Sequence, residues 1–253
     1  MKQLVTKYFR FQYEYPEQDK IIIGKKTINI TDFEISEYSQ EAINSFDETL
    51  SVFKKQEVEF ICIRCKQDFI AARLLTEAGF VFIETLFNPY FKIDRLIESN
   101  IKLDVLDAHK NDLEHIHKIA KTSFTKGRFH FDERFDKKIG DNRYSLWVDN
   151  AFNNPKFSLL KVIMKDTIIG FFIVEYDENK SVYWHLTAID KSFQGKGLGS
   201  EVWKMVMNKH FKDNYRLVKT AISSNNISAL NLYTKLNFRF IKASNTFHKF
   251  LKS

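Results

Sequence analysis

Apolar positions along this chain change their period from place to place, and the changes mark the elements. Gln3–Phe9 alternates weakly and Ile21–Ile23 is an apolar run, which predicts two short strands on either side of a polar turn at Pro16. From Ser36 to Gln56 the residues Ala42, Ile43, Phe46, Leu50 and Phe53 recur at helical spacing. A strand over Val58–Arg64 follows, then a helix from Asp68 to Ala78 and a strand over Phe80–Phe87. Gly79 stands between these last two, where a glycine closes a helix because it takes the left-handed conformation at no steric cost. Further on, the pattern predicts strand Ile101–Leu106, helix Lys110–Phe124, and helix Asn142–Phe152 with Tyr144, Trp147 and Val148 on one side. Hairpin strands Phe157–Met164 and Thr167–Tyr176, turned at Lys165-Asp166, come next. Strand Val182–Ile189, helix Ser200–His210 and strand Tyr215–Ile222 complete the series.

The segment 68–83 recurs near the end of the chain at a constant offset of 158 residues. Asp68 answers to Asn226, Ala71 to Ala229, Leu74 to Leu232, Gly79 to Asn237, Phe80 to Phe238, Phe82 to Phe240 and Ile83 to Ile241. Each copy reads as capping residue, helix, tight turn, strand, and each follows a strand. The register is not expected to persist further, since Phe91 would fall on Lys249. A repeated unit of this kind predicts two related halves, with a boundary near Glu98–Lys102: residues 1–98 and 99–253.

Composition narrows the class without naming a function. With 44% apolar and 28% charged residues and no apolar run near the ~18 residues of a membrane span, the chain reads as a soluble globular protein. No charged segment followed by an apolar one opens it, so a cytoplasmic location is expected. The net charge of +7 is dispersed rather than gathered into a Lys/Arg stripe, which argues against a nucleic-acid partner. Cys62-Ile-Arg-Cys65 lies in an alternating strand that sends its two thiols to opposite faces, and His115 and His117 diverge on a helix, so no metal site is expected.

The stretch that carries chemistry is Gln194-Gly195-Lys196-Gly197-Leu198-Gly199, set between the strand ending at Ile189 and the helix that follows. Alternating glycines let the backbone approach a ligand closely, and the next helix turns its unpaired N–H groups toward the same place. That combination suits a phosphate or pyrophosphate. The mononucleotide loop Gly-x4-Gly-Lys-Ser/Thr does not fit, because Lys196 stands between the first two glycines. The dinucleotide fingerprint wants G-x-G-x-x-G near the start of a domain, and here the spacing is G-x-G-x-G late in the chain.

Gln-x-x-Gly-x-Gly after a strand is instead the pattern of the GNAT acetyltransferase superfamily, matched by Gln194, Gly197 and Gly199, and the order of elements beyond residue 100 resembles that superfamily throughout. The resemblance implies an α/β (α+β) fold, a mixed and mostly antiparallel sheet flanked by helices, preceded here by a degenerate half that lacks the glycine loop. It implies acetyl-coenzyme A as cofactor, with pyrophosphate on Gln194–Gly199 and the pantetheine arm along the strand edge Leu186, Thr187, Ala188, Ile189. Asn226 then corresponds to a position that binds the arm, and Tyr233 to the general acid that protonates the departing thiolate.

A narrower resemblance lies in Arg128-Phe-His-Phe-Asp132 followed by Tyr144-x-x-Trp147-x-x-x-Ala151, which looks like the dTDP-fucosamine acetyltransferase family, two-domain enzymes that acetylate a nucleotide-linked 4-amino-4,6-dideoxy sugar. The chain departs from that family at Thr125-Lys126-Gly127 and in its first half. The expected partner is a small-molecule amine, with a homodimer allowed. On the acceptor side the segment from Arg128 to Trp147 supplies Arg128, His130 and Arg134 with Phe129, Phe131, Tyr144 and Trp147 nearby, guanidinium groups to pair with a diphosphate and aromatic faces to stack on a base or sugar. The alternative is that the aromatics seal the interface between the two halves and the arginines are solvated. Glu175 and His185 are alternative bases. Two other functions fit the same residues: acetylation of protein or other small-molecule amines, and non-catalytic binding of an acyl-coenzyme A.

Overall fold

A computed structural model describes residues 1–124 and 127–251. The departure at Thr125-Lys126 therefore lies outside the described residues. The elements of the first half are β1 (Lys2–Val5), β2 (Phe9–Glu14), α1 (Glu17–Ile23), β3 (Thr27–Ile35), α2 (Gln40–Lys55), β4 (Phe60–Lys66), α3 (Phe69–Glu77) and β5 (Val81–Lys92). After a connector come β6 (Asp104–Asp107), α4 (Leu113–Ser123), α5 (Arg128–Phe131), α6 (Lys137–Asn153), β7 (Ser158–Met164), β8 (Thr167–Tyr176) and β9 (Ser181–Ile189). The chain continues through α7 (Leu198–Lys212), β10 (Leu217–Thr220), β11 (Ile222–Ser223), α8 (Ile227–Lys235) and β12 (Arg239–Phe250).

Three expectations are corrected here. Gln3–Phe9 is not one strand, because the chain turns at Thr6, whose N–H and Oγ1 both donate to the Phe9 carbonyl, and so divides β1 from β2. Ile21–Ile23 is the last turn of α1, because Pro16 starts the segment with its φ preset and Gly24 ends it in the left-handed region at φ 69°. The strand in this region is β3. Helix α6 begins five residues before Asn142, where the Asp136 carboxylate accepts the Lys138 N–H as an N-cap. The turn at Lys165-Asp166 holds, both residues taking positive φ, as a tight hairpin turn demands.

Among the described residues the strands form one sheet in the order β1-β2-β3-β4-β12-β5-β10-β9-β8-β7-β6, with β11 paired to β5. Only β3/β4 and β9/β10 are parallel; the other pairings are antiparallel, and helices flank the sheet. The order shows a strand exchange. The last strand, β12, inserts between β4 and β5, while β5 inserts between β12 and β10. Each half thus completes the sheet of the other.

Against the expectation that the register ends near residue 83, the offset of 158 residues runs to the ends of the exchanged strands, Phe91 and Lys249 included, as well as through the helices before them and their local bonds. α3 and α8 span 69–77 and 227–235, and β5 and β12 span 81–92 and 239–250. Asp68 caps α3 by accepting from Ala71 N, and Asn226 caps α8 by accepting from Ala229 N. Gly79 and Asn237 both take positive φ, 75° and 61°.

One core, built on Phe9, Phe11, Phe46, Phe53, Leu74 and Phe247, lies under α2 and α3; Phe247 comes from β12, so the exchanged strand helps to seal it. A second, around Trp184, Trp203, Val206, Tyr233 and Phe238, lies under α7 and α8. Cys62 and Cys65 are both free and buried, and they face different cores, Cys62 with Phe60, Phe129 and Phe135, and Cys65 with the first. No helix among the described residues is long and apolar enough to cross a membrane.

Candidate active site

Strands β9 and β10 run parallel only from Ser181/Leu217 to Trp184/Thr220. Thr220 marks the end of the ladder, its Oγ1 donating to the Trp184 carbonyl at 2.9 Å. Beyond it the chain turns away into β11, which pairs with β5 through Ile222/Phe87 and Ser223/Leu86. Strand β9 continues to Ile189, bonded on its other side to β8. The edge of Leu186, Thr187, Ala188 and Ile189 that faces away from β8 is therefore left open along one wall of a cavity of about 660 Å³, with Ala221, Ile222 and Ser223 on the opposite wall. Such an edge offers peptide N–H and C=O groups to an extended, amide-bearing ligand.

The glycine loop closes one end. Asp190 caps a 3-10 turn by accepting from Ser192 N at 2.8 Å, and Gln194 Nε2 donates to Ile189 O at 2.8 Å, which ties the loop to the strand. Gly195 and Gly197 take φ of 73° and 76°, a region that costs other residues about 1–2 kcal/mol, and a Cβ on either would stand in open space. Gly197 is the N-cap of α7 and supplies no side-chain cap, so the first N–H groups of that helix keep their capacity to bind an anion. Gln194, Gly195, Gly197 and Gly199 line the cavity. Lys196 and Leu198 do not: the Lys196 ammonium lies over the Phe193 ring at 5.5 Å, and Leu198 packs inward. Open glycines, an uncapped helix start and a free strand edge in continuous order fit a long ligand with a diphosphate and amide groups, as coenzyme A has.

Asn226 and Tyr233 meet at the same cavity. The Asn226 carboxamide oxygen caps α8 and also accepts from Ser228 Oγ at 3.0 Å. Tyr233 is 2% exposed and packs edge-on against Phe238, Trp184 and Trp203. Burial pushes its phenol up to about 12, with Trp203, Thr187 and Thr220 beside it pulling the other way. A tyrosine held so is neutral and keeps its proton at pH 7. The indole N–H of Trp203 is buried without a partner among the described residues.

The acceptor side of the cavity departs further from expectation. Tyr144, Trp147 and His185 line it. Glu175 lies just outside and bonds His185 Nε2 at 2.8 Å, so the two alternative bases form one oriented pair. Burial lowers the His185 pKa despite Glu175, which keeps the ring neutral near pH 7. His130 does not face the cavity; its Nε2 lies 3.1 Å from Asp141, its ring stacks on Tyr144, and a Cβ at Gly140 would come within 2.4 Å of it. Arg128 reaches the cavity wall but is taken by the buried Asp19 of α1, with Nη1 3.1 Å from Cys62 Sγ. Arg134 is held by Asp132 at 2.7 Å, and Phe129 and Phe131 do not line the cavity, Phe129 packing instead with Phe60 and Phe135.

Three residues that sequence pattern passed over stand here instead: Arg64 of β4, Glu84 of β5 and Arg143 of α6. Arg143 lies over the Trp147 ring at 5.0 Å and 3.7 Å from Asp19. Its spacing of four from Trp147 could have flagged it as sharing that helix face. Glu84 is 4% exposed and accepts no hydrogen bond among the described residues. A lone carboxylate in the apolar strand Val81–Phe87 was its only local signal.

Residues 113–238 match the acetyltransferase (GNAT) family. The chain is 19% identical over 228 residues to the spore coat polysaccharide biosynthesis protein SpsD of Bacillus subtilis, a match covering 89% of this chain and 78% of that protein. It is 38% identical over 82 residues to a "Probable spermine N(1)-acetyltransferase" of Bacillus subtilis subsp. natto, covering 29% of this chain and 53% of that one. Its fold is similar to a GCN5-related N-acetyltransferase from Sphaerobacter thermophilus, with a TM-score of 0.65 at 9% identity over 97% of this chain and 78% of that one. The matched segment holds the open strand edge, the glycine loop and Tyr233, and on that ground the chain belongs to the GNAT acetyltransferase superfamily: it is an N-acetyltransferase that draws its acetyl group from acetyl-coenzyme A.

Proposed function

We propose that the chain acetylates the amino group of a nucleotide-linked 4-amino-4,6-dideoxy sugar, with residues 99–253 as the catalytic half and 1–98 as a degenerate copy that has lost the cofactor loop. The observation that carries this acceptor is the charge and ring content of the cavity end away from the glycine loop. Arg64, Arg128 and Arg143 stand there against Asp19 and Glu84, beside Tyr144, Trp147 and Tyr183. A cationic excess with aromatic faces favours an acceptor that carries an anion and a flat ring. The same excess disfavours a polyamine, although one relative bears a spermine acetyltransferase name. The name of the polysaccharide-biosynthesis relative points to sugar chemistry.

Acetyl-coenzyme A supplies an acetyl carbon activated as a thioester and a thiol as leaving group. The α7 N-terminus and the glycine loop bind its diphosphate, and Leu186–Ile189 align its amide-bearing arm. His185, oriented by Glu175 and neutral near pH 7, takes the proton that the acceptor amine gives up. Tyr233 delivers a proton to the sulfur, a role that depends on position because its pKa of about 12 lies above the ~8.5 of a free thiol. Asn226 fixes the start of the helix that carries Tyr233.

Arg143 is the residue on which to test the acceptor, since Arg128 is bound to Asp19. Wild type is expected to turn over the dTDP-linked amino sugar at least about tenfold better, by kcat/KM, than the same sugar without its nucleotide, and Arg143→Ala to raise KM for the nucleotide form alone. Equal turnover of both sugars, or faster acetylation of spermine, would reject this acceptor class and leave the acetyltransferase assignment in place.

A further inference from the structure

The exchanged strand β5 brings one side chain into the cavity that the proposed chemistry does not use. Glu84 lies on β5, directly opposite Thr246 of β12, and Thr246 is in turn opposite Arg64 of β4. Side chains directly opposite in neighbouring strands share a face, so Arg64, Thr246 and Glu84 form one row across the exchanged sheet. That row stands at the end of the notch: Leu86, two residues along the same face, pairs with Ser223, and Ser224 N donates to Thr85 O at 2.8 Å.

Within the row Glu84 is 4% exposed, lines the cavity, and forms no ion pair or hydrogen bond among the described residues. Removing a carboxylate from water without a partner costs several kcal/mol. Arg128 feels the Glu84 charge, but none of the neighbouring cations makes an ion pair with it among the described residues. Arg128 is committed to Asp19 and Cys62, Arg143 lies over Trp147 and toward Asp19, and Arg64 makes no ion pair within 4.0 Å among the described residues. The groups that face Glu84 across the cavity are Arg64 from β4, Arg128 from α5, Arg143 and Tyr144 from α6, and Tyr183 and His185 from β9. A buried carboxylate with a free face toward a ligand cavity is built to receive a cation. In an amine acetyltransferase the cation that enters is the acceptor's own ammonium.

We propose that Glu84, supplied by the non-catalytic half, is the counter-ion that selects the acceptor's ammonium and points its nitrogen into the notch, while Arg64 and Arg143 receive an anionic group on the same molecule. The acceptor is therefore an amine that also carries a negative charge. A chain with two halves exchanged in this way uses one half for the donor and borrows the specificity group from the other. The anionic part of this inference rests on the nucleotide-sugar reading above; the ammonium part does not.

The test is calorimetry on the full chain with coenzyme A bound, using dTDP-4-amino-4,6-dideoxyglucose and its 4-hydroxy counterpart as paired probes, with the amino sugar lacking its nucleotide as a third. Wild type is expected to bind the amine form about 10- to 150-fold more tightly than the hydroxy form, the range of one hydrogen bond to a charged group. Glu84→Gln should erase that preference, raise KM for the amine by a similar factor and change kcat little, and Glu84→Asp should restore part of it. Wild-type preference should fall as pH rises past the amine's own pKa of ~8, and in Glu84→Gln this pH dependence should vanish. Unchanged coenzyme A affinity and melting in both variants establish that the fold is intact; should Gln disturb it, Asp alone carries the comparison. A wild type with no preference for the amine, or a Glu84→Gln variant that keeps it, overturns the assignment. Equal affinity with and without the nucleotide, with the Glu84 dependence intact, removes the nucleotide-sugar acceptor and leaves Glu84 in its role.

Discussion

Gly199 offers a perturbation whose effects on the free and the ligand-bound protein have opposite signs. It is the second residue of α7 after the Gly197 N-cap, its φ lies outside the left-handed region, and a Cβ placed on it would meet Leu232 at 3.5 Å, an ordinary contact. An aspartate there folds without strain. In the free protein its charge sits at an uncapped helix N-terminus, worth about 0.3–1 kcal/mol, and replacing glycine adds a few tenths more through the unfolded chain. With coenzyme A bound, the same charge faces a diphosphate. Two unit charges about 5 Å apart at an effective dielectric of about 20 repel by about 3 kcal/mol, and the half-exposed position reduces this to about 1.5–3 kcal/mol. Gly199→Asp should therefore melt at or up to about 4 °C above wild type without ligand, and bind coenzyme A about 10- to 150-fold more weakly. Gly199→Ala separates the added methyl from the charge and should lose less. Scanning fluorimetry reads both: about 100 Kd of coenzyme A stabilises wild type by about 2.7 kcal/mol, and about half or more of that shift should disappear in the aspartate variant. A folded Gly199→Asp protein with affinity within threefold of wild type would refute the placement of the diphosphate.

Two further outcomes follow from buried groups. Tyr233→Phe keeps the packing against Phe238, Trp184 and Trp203 and removes only the proton, so kcat should fall by about 10²–10⁴-fold with acetyl-coenzyme A affinity little changed. Full kcat would reduce Tyr233 to a core residue. The second concerns His248, whose Nδ1 lies 2.8 Å from Asp132 and whose Nε2 faces the Cys62 thiol. Burial opposes charge on the ring, but Cys62 and Asp132 outweigh it and raise the His248 pKa above 6.5; that stabilisation is complete below 6.5 and lost as pH rises through the folded value. Burial pushes the Cys62 thiol up, but Arg128 and His248 bring it down to about 7, so its contribution is present at high pH and lost as pH falls through about 7. The two responses oppose each other as pH rises past 7, so the melting temperature of wild type should change little there. His248→Asn should leave the rise that Cys62 contributes above about pH 7, and Cys62→Ala the fall that His248 contributes; a flat profile in either variant would detach the remaining residue from the pH response.

The parts of the fold that could be read locally were those whose causes are local. The caps at Asp68 and Asn226, the left-handed turns at Gly79 and Asn237, and the hairpin turn at Lys165-Asp166 each depend on a few adjacent residues, and each stands where the pattern placed it. The open edge at Leu186–Ile189 and the loop at Gln194–Gly199 were legible for the same reason, a strand running straight into glycines. Ile21–Ile23 misled because a three-residue apolar run has no period, and Pro16 and Gly24 decided the matter. Arg128 and His130 misled in a different way: their types suited a diphosphate, but Asp19, more than a hundred residues away, and Asp141 had already engaged them. A partner as distant as Asp19 leaves no local mark at Arg128.

The strand exchange was invisible for a physical reason and has a physical consequence. Nothing in Val81–Lys92 or Arg239–Phe250 records which strand lies beside it, since the two copies keep the same caps and turns whether they pair within a half or between halves. Once exchanged, β5 is the strand on which β10, β11 and β12 all rest. Pairing of β11 to β5 is what draws Ile222 and Ser223 away from β9 and opens the notch. The same strand carries Glu84 into that notch, α1 holds Arg128 aside through Asp19, and β4 adds Arg64. Residues 1–98, through Arg64, Glu84 and Leu86, thus supply one wall of the cavity, and residues 99–253 alone would expose the flanks of β10 and β12 as bare strand edges where β5 had been.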